Sequence, residues 1–183
     1  MKINFTKKEN IPNLLTLGRI VLIPVFILIL CIWNSVAGHA VAAVVFALAS
    51  ITDYLDGYLA RKWQVVTNFG KFADPLADKM LVMAAFIMLI PLNLAPAWVI
   101  AIIICRELAV TGLRLLLVEQ GGVVMAAALP GKIKTFTQML SIIFLLLGLT
   151  MIGTIFLYIC LVATIYSGYD YFAKNMGVFK DVA

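Results

Sequence analysis

The chain reads Asp53-Tyr54-Leu55-Asp56-Gly57-Tyr58-Leu59-Ala60-Arg61 and then, eight residues on, Gly70-Lys71-Phe72-Ala73-Asp74-Pro75-Leu76-Ala77-Asp78. Four aspartates fall at helical spacing here. Asp53 and Asp56 are three apart, Asp74 and Asp78 four apart, so each pair shares one face of a helix. Nearly everything around them is apolar, and an ionised carboxylate in such surroundings is costly unless a counter-charge compensates it. Four together imply a bound cation.

Composition sets the class. The chain is 64% hydrophobic and 13% charged, with a mean hydropathy of +1.08, whereas soluble domains run near about half apolar and a quarter charged. This predicts an all-α integral membrane protein. No Asp, Glu, Lys or Arg lies between Arg19 and Asp53, between Lys79 and Arg106, or between Lys134 and Asp170. A single helix through the first gap would run roughly 50 Å against a hydrocarbon core of about 30 Å, so the chain must turn back inside it, and likewise inside the last. Asn34-Ser35 and Gly38 break the first gap, Pro91, Asn93 and Pro96 the second, and Gly148 to Gly153 the third. The result is six transmembrane helices at roughly 12–33, 38–61, 71–91, 96–117, 131–148 and 153–173. With no internal repeat, low-complexity tract or soluble segment, residues 1–183 are expected to form one membrane domain.

Charge placement orients the bundle. The three tight turns carry no Lys or Arg, whereas Lys2, Lys7, Lys8, Arg61, Lys62, Lys71, Lys132, Lys174 and Lys180 all fall on the other side, so both termini are expected to be cytoplasmic. The net charge of +5 is thereby explained as topology and needs no nucleic-acid partner. Residues 1–10 are polar with apolar Ile3 and Phe5, and read as a short N-terminal interfacial segment that is not cleaved. Cys31, Cys105 and Cys160 stand apart in apolar runs and His39 is the sole histidine, which argues against a zinc site and against a Ser-His or Cys-His nucleophile.

The aspartate pairs end one span and begin the next, so the two helices are expected to be antiparallel neighbours with their carboxylates together toward the cytoplasmic side. Counting from the outer turn, Asp53 lies roughly 25 Å across a core of about 30 Å, at inner-leaflet headgroup depth. All-oxygen ligation selects hard divalent cations, Mg²⁺ or Mn²⁺ before Ca²⁺. Four carboxylates exceed what one Mg²⁺ normally takes from protein, which points to two metals of the kind that clamp a phosphoryl transfer. Gly57 leaves room for close approach of a ligand and Arg61 supplies a fork suited to phosphate. The alternative is that the aspartates form buried ion pairs with Arg61, Lys79, Arg106 and Arg114.

These residues carry a resemblance. Asp56-Gly57, Ala60-Arg61, Gly70, Asp74 and Asp78 match without departure the D-G-x2-A-R-x8-G-x3-D-x3-D signature of the CDP-alcohol phosphotransferases, and Asp53 stands at the additional upstream acid of that family. The resemblance implies that Asp53, Asp56, Asp74 and Asp78 ligate two divalent metal ions, and that Asp78 is also the catalytic base that deprotonates an acceptor alcohol. It implies a CDP-binding site that includes Gly57, Ala60, Arg61 and Gly70. The element Asn13-x-x-Thr16-x-x-Arg19 is similar to a second family element lining the nucleotide site. Its plainer reading is that Asn13 and Thr16 cap a helix and Arg19 meets lipid phosphate. Homodimers are common in the family, so a homodimer is implied from resemblance alone. Ala43, Ala47, Ser50 and Gly57 would let helices pack closely, within the chain on the plainer reading.

Arg106, Arg114, Lys132 and Lys134 bring more positive charge than a pyrophosphate already held by metals needs, and an anionic acceptor would use it. The segments Arg106-Glu107-x6-Arg114 and Gly131-Lys132-x-Lys134-Thr135-x-x-Gln138 resemble those of bacterial phosphatidylglycerophosphate synthases, which join CDP-diacylglycerol and sn-glycerol 3-phosphate. By that resemblance Arg106, Arg114, Lys132, Lys134, Thr135 and Gln138 bind the acceptor phosphate, in a bacterial plasma membrane with the site facing the cytoplasm. Plainer readings pair Arg106 with Glu107 and make Lys132 and Lys134 topological anchors. Serine, an inositol phosphate or phosphatidylglycerol are alternative acceptors. A divalent-cation transporter is the alternative from another class, but it would place its acids near the midplane, on broken helices.

Overall fold

A computed structural model describes residues 11–63, 68–119 and 129–175, with side chains described except at 11–15, 53–63, 68–75, 78, 118–119, 129–130 and 132. The expected interfacial segment at 1–10 lies outside the described residues. Six helices follow in order: α1 Ile11–Ile32, α2 Val36–Trp63, α3 Asn68–Leu89, α4 Ala97–Glu119, α5 Leu129–Leu146 and α6 Thr150–Lys174. No strand occurs among the described residues. Each expected span corresponds to one helix, with ends shifted by a few residues.

The three tight turns are built by local chemistry. Between α1 and α2, the Ser35 hydroxyl accepts the Gly38 N–H at 3.2 Å, which makes Ser35 the N-cap of α2. Gly38 is obligatory there, because a Cβ would lie 1.9 Å from the Trp33 carbonyl oxygen. After α3, Leu94 N–H reaches Leu89 O at 3.0 Å and Asn93 N–H reaches Ile90 O at 3.0 Å, with Asn93 at φ 56°. After α5, Leu149 N–H reaches Phe144 O at 2.9 Å and Gly148 N–H reaches Leu145 O at 3.1 Å, with Gly148 at φ 78°. Both are Schellman endings, in which a left-handed residue closes off the last carbonyls of the helix.

The most extensive packing is between α5 and α6, followed by α1 on α2 and α1 on α3. In addition, α6 meets α4, α5 meets α2 and α3, and α3 meets both α2 and α4. Expected neighbours α2 and α3 are therefore in contact, with α1 packed on both. The core draws on every helix, from Phe26 and Phe46, whose ring centroids are 6.1 Å apart, to Phe86, Ile103, Ile142 and Leu157. On α2 the buried face is Ala42, Ala43, Phe46 and Ala49, while Ala47 and Ser50 are half-buried. Small residues thus serve packing within the chain.

The outside is as apolar as the inside: Ile32, Val36, Leu115, Met151 and Val162 are all exposed. Among the described residues, Thr150–Lys174 is the one helix long and apolar enough by itself to cross a membrane. Shorter apolar helical stretches run through Thr16–Ile32, Val36–Thr52, Lys79–Leu89 and Ile133–Leu146. In α4 the run is interrupted by Arg106, Glu107 and Arg114.

Candidate active site

Asp53 and Asp56 lie on α2, Asp74 and Asp78 on α3, two helices in contact. Gly57, Ala60 and Arg61 follow on α2, and Gly70 lies in the first turn of α3. The donor set that the sequence supplies on these helices is wholly carboxylate, the chemistry a hard divalent cation takes. The side chains of all these residues, and of Asn13 on α1 and Lys132 on α5, lie outside the described side chains.

Thr16 and Arg19, three apart on α1, point into the bundle, and Arg19 is only 1% exposed. This corrects both plainer readings: Arg19 does not face lipid, and Thr16, the sixth residue of α1, does not cap it.

Three helices, α3, α4 and α5, converge on one carboxylate. Glu107 on α4 is buried and accepts from Arg106 Nη1 at 3.1 Å, from Lys79 Nζ on α3 at 3.5 Å, and from Lys134 Nζ on α5. Two of these cations have a further partner of their own. Lys79 Nζ donates to Thr111 Oγ1 at 2.5 Å, and the Thr111 hydroxyl donates to the Glu107 carbonyl at 2.7 Å. Arg106 Nη2 donates to Ser167 Oγ on α6 at 2.8 Å. Gly168 makes room for this arm, since a Cβ there would lie 3.1 Å from Arg106 Cγ. Pairing of Arg106 with Glu107 does occur, but as one edge of a four-helix network. Lys134 is only 6% exposed, so it is no surface anchor.

One turn beyond Lys134, on the same face of α5, Gln138 and then Ser141 are buried, and Gln138 Nε2 and Ser141 Oγ find no hydrogen-bond partner among the described residues. The Thr135 hydroxyl donates to Gly131 O at 3.1 Å within its own helix. Arg114 lies two turns after Arg106, exposed, with its guanidinium carbon 5.9 Å from the centroid of the Tyr171 ring. The structure thus brings Arg106 and Lys134 together on Glu107. Lys79, Glu107, Thr111 and Ser167 were not assigned to the site from sequence. The i,i+4 pair Glu107 and Thr111, flanked by an arginine in an apolar run, is the signal that could have found half of them.

A sequence model of CDP-alcohol phosphatidyltransferases matches residues 9–166. The chain belongs to the CDP-alcohol phosphatidyltransferase family. Among curated members of that family, it is similar to the CDP-diacylglycerol–glycerol-3-phosphate 3-phosphatidyltransferase of Bacillus subtilis (strain 168), at 46% identity over 93% of this chain and 97% of the relative. It is 44% identical to a protein of the same name from Rickettsia typhi, over 90% of this chain and 96% of the relative. A third of that name, from Shigella flexneri, is 37% identical over 88% and 92%. CDP-alcohol phosphatidyltransferases generally use divalent metal ions, in keeping with the all-carboxylate donor set on α2 and α3.

Proposed function

We propose that this chain transfers the phosphatidyl group of CDP-diacylglycerol to sn-glycerol 3-phosphate, giving phosphatidylglycerophosphate and CMP. The observation that carries this reading is end-to-end similarity, at 46% identity over 97% of its length, to a relative named for that reaction. The partly buried cationic network around Glu107 supports an acceptor that carries phosphate, since an uncharged or zwitterionic acceptor would leave it without a use.

Asp53, Asp56, Asp74 and Asp78 would hold two divalent ions, Mg²⁺ or Mn²⁺. When bound, such ions neutralise charge that develops on the transferring and leaving phosphates. The chain's own residues do the rest. Arg61, with Asn13, Thr16 and Arg19, holds the CDP moiety, and Gly57, Ala60 and Gly70 let it approach α2 and α3 closely. Arg106, Lys132 and Lys134, with Arg114, Thr135 and Gln138, hold the acceptor phosphate. Asp78 takes the proton of the glycerol hydroxyl as its oxygen bonds to the phosphorus that carries the lipid. The bond from that phosphorus to the CMP oxygen breaks, and no covalent enzyme intermediate is needed.

The six helices form one domain and span the plasma membrane of a bacterium, with both termini and the aspartates toward the cytoplasm. Apolar side chains on the outside as well as the inside, and the absence of Lys and Arg from the three tight turns, support this. A lipid donor then keeps its tails in the bilayer while its headgroup reaches the site. Dimerisation rests on the family resemblance.

The test is CMP release by purified protein given CDP-diacylglycerol and Mg²⁺ or Mn²⁺, with glycerol 3-phosphate, serine or inositol phosphate supplied separately. Release that requires glycerol 3-phosphate and is abolished in Asp78→Asn is expected; equal release with another acceptor would refute the assignment.

A further inference from the structure

Three cations meeting one carboxylate is an unbalanced arrangement for the interior of a bundle. Lys79, Arg106 and Lys134 against Glu107 leave two positive charges unmatched among the described residues. Buried ionic groups are costly unless paired. The Thr111 hydroxyl fixes Lys79 and the Ser167 hydroxyl fixes the second arm of Arg106. An ammonium has three N–H donors and a guanidinium five. After the bonds described here, Lys134 keeps two donors, Lys79 one and Arg106 three. Those donors come from three helices and are directed by one carboxylate.

We propose that Glu107 is the positioning residue of the acceptor site, gathering Lys79, Arg106 and Lys134 into a seat that carries two net positive charges among the described residues and takes a phosphate monoester. Such a group carries about −1.5 to −2 at neutral pH, which matches the residual charge of the seat. Glu107, itself an anion, does not bind the phosphate; it acts through the three cations, and Ser167 acts through Arg106. The inference rests on the acceptor assignment above and extends it to Lys79, Glu107, Thr111 and Ser167. Selection of a dianionic acceptor over a neutral alcohol follows, because a neutral group would leave these partly buried charges without a counter-charge among the described residues.

The experiment is steady-state kinetics of full-length protein in CDP-diacylglycerol mixed micelles, with each substrate varied in turn, for wild type, Glu107→Gln, Glu107→Asp and Ser167→Ala. Glu107→Gln is expected to raise KM for glycerol 3-phosphate at least tenfold while KM for CDP-diacylglycerol stays within twofold. Glu107→Asp, which keeps the charge on a shorter stem, should fall between it and wild type, and Ser167→Ala should raise the acceptor KM threefold to tenfold. If Glu107→Gln does not fold, Ser167→Ala decides. An acceptor KM within twofold of wild type in the folded variants, or an equal rise in both KM values, overturns the inference. Wild type that releases no CMP in response to glycerol 3-phosphate overturns the functional reading beneath it, and this inference with it.

Discussion

Glu107 on α4 and Lys134 on α5 are 27 residues apart in sequence, yet the lysine ammonium donates to the glutamate carboxylate in a buried ion pair. Neither side chain reaches solvent, since Glu107 is 8% and Lys134 6% exposed. Their dependence on each other is unequal. Removing Lys134 leaves Glu107 with Lys79 and Arg106, whereas removing Glu107 leaves three cations facing one another. Breaking a buried pair so that an ion is orphaned costs about 3–5 kcal/mol. Glu107→Leu is therefore expected to cost that much, and Lys134→Met less, about 1–3 kcal/mol. Thermal unfolding in detergent should place Glu107→Leu well below Lys134→Met; the reverse order would contradict the network.

Arg106 uses two arms at once, one to Glu107 and one to Ser167. A lysine has the charge but not the fork. One lost charge-assisted hydrogen bond is worth about 1.5–3 kcal/mol. Arg106→Lys should therefore lower kcat/KM for glycerol 3-phosphate by about tenfold to a hundredfold, with KM for CDP-diacylglycerol little changed.

Two glycines should respond to alanine with opposite signs. At Gly38 a Cβ would collide with the Trp33 carbonyl, whereas at Gly112, exposed in the middle of α4, it would meet nothing within 4 Å. Gly38→Ala is expected to lose about 2–3 kcal/mol, at the upper end of ordinary single substitutions. Gly112→Ala should gain about 0.5–1 kcal/mol from reduced freedom of the unfolded chain. Melting temperatures of the two variants against wild type check both signs together.

The left-handed closures after α3 and α5 should differ in tolerance. Gly148 at φ 78° accepts alanine only with a strain of about 1–2 kcal/mol, while Asn93 at φ 56° is already a residue that pays this cost and should accept glycine without loss. Thermal unfolding of Gly148→Ala and Asn93→Gly is the measurement.

Much of the fold was legible because charge is so scarce. Three uncharged runs, the first and last too long for one crossing and each with its own turn residues, led to six helices at nearly the observed places. The ends moved where local chemistry intervened. Ser35 caps α2, so the helix starts at Val36, ahead of the expected 38. Gly148 alone reverses the chain, so α6 starts at Thr150 and Gly153 is a packing residue, its Cβ position 2.6 Å from Leu145 Cγ. In the site, Arg106 and Lys134 stood out as basic residues in apolar surroundings. Glu107 did not, because its adjacent arginine looked like a sufficient partner, and its other partners come from helices that only the tertiary fold brings near. Gln138 and Lys134 share a face by simple i,i+4 spacing, whereas the hydroxyl of Thr135 bonds within its own helix, a distinction spacing alone does not make.

Metal dependence should be complete if the four aspartates act as a ligand set. Chelation is expected to abolish CMP release and added Mg²⁺ or Mn²⁺ to restore it. Asp56→Asn should retain its melting temperature within a few degrees while turnover falls by at least about a hundredfold, the scale on which loss of an essential acid–base or charge-stabilising group acts.

The most direct measurement follows the lipid product. Purified protein is incubated with CDP-diacylglycerol, Mg²⁺ and radiolabelled glycerol 3-phosphate, and the organic extract is counted and analysed by mass spectrometry. Label should appear in phosphatidylglycerophosphate in equal amount to the CMP released, and in neither when Asp78 is replaced by Asn. CMP released without label entering the lipid, or label entering a lipid of another mass, would contradict the account.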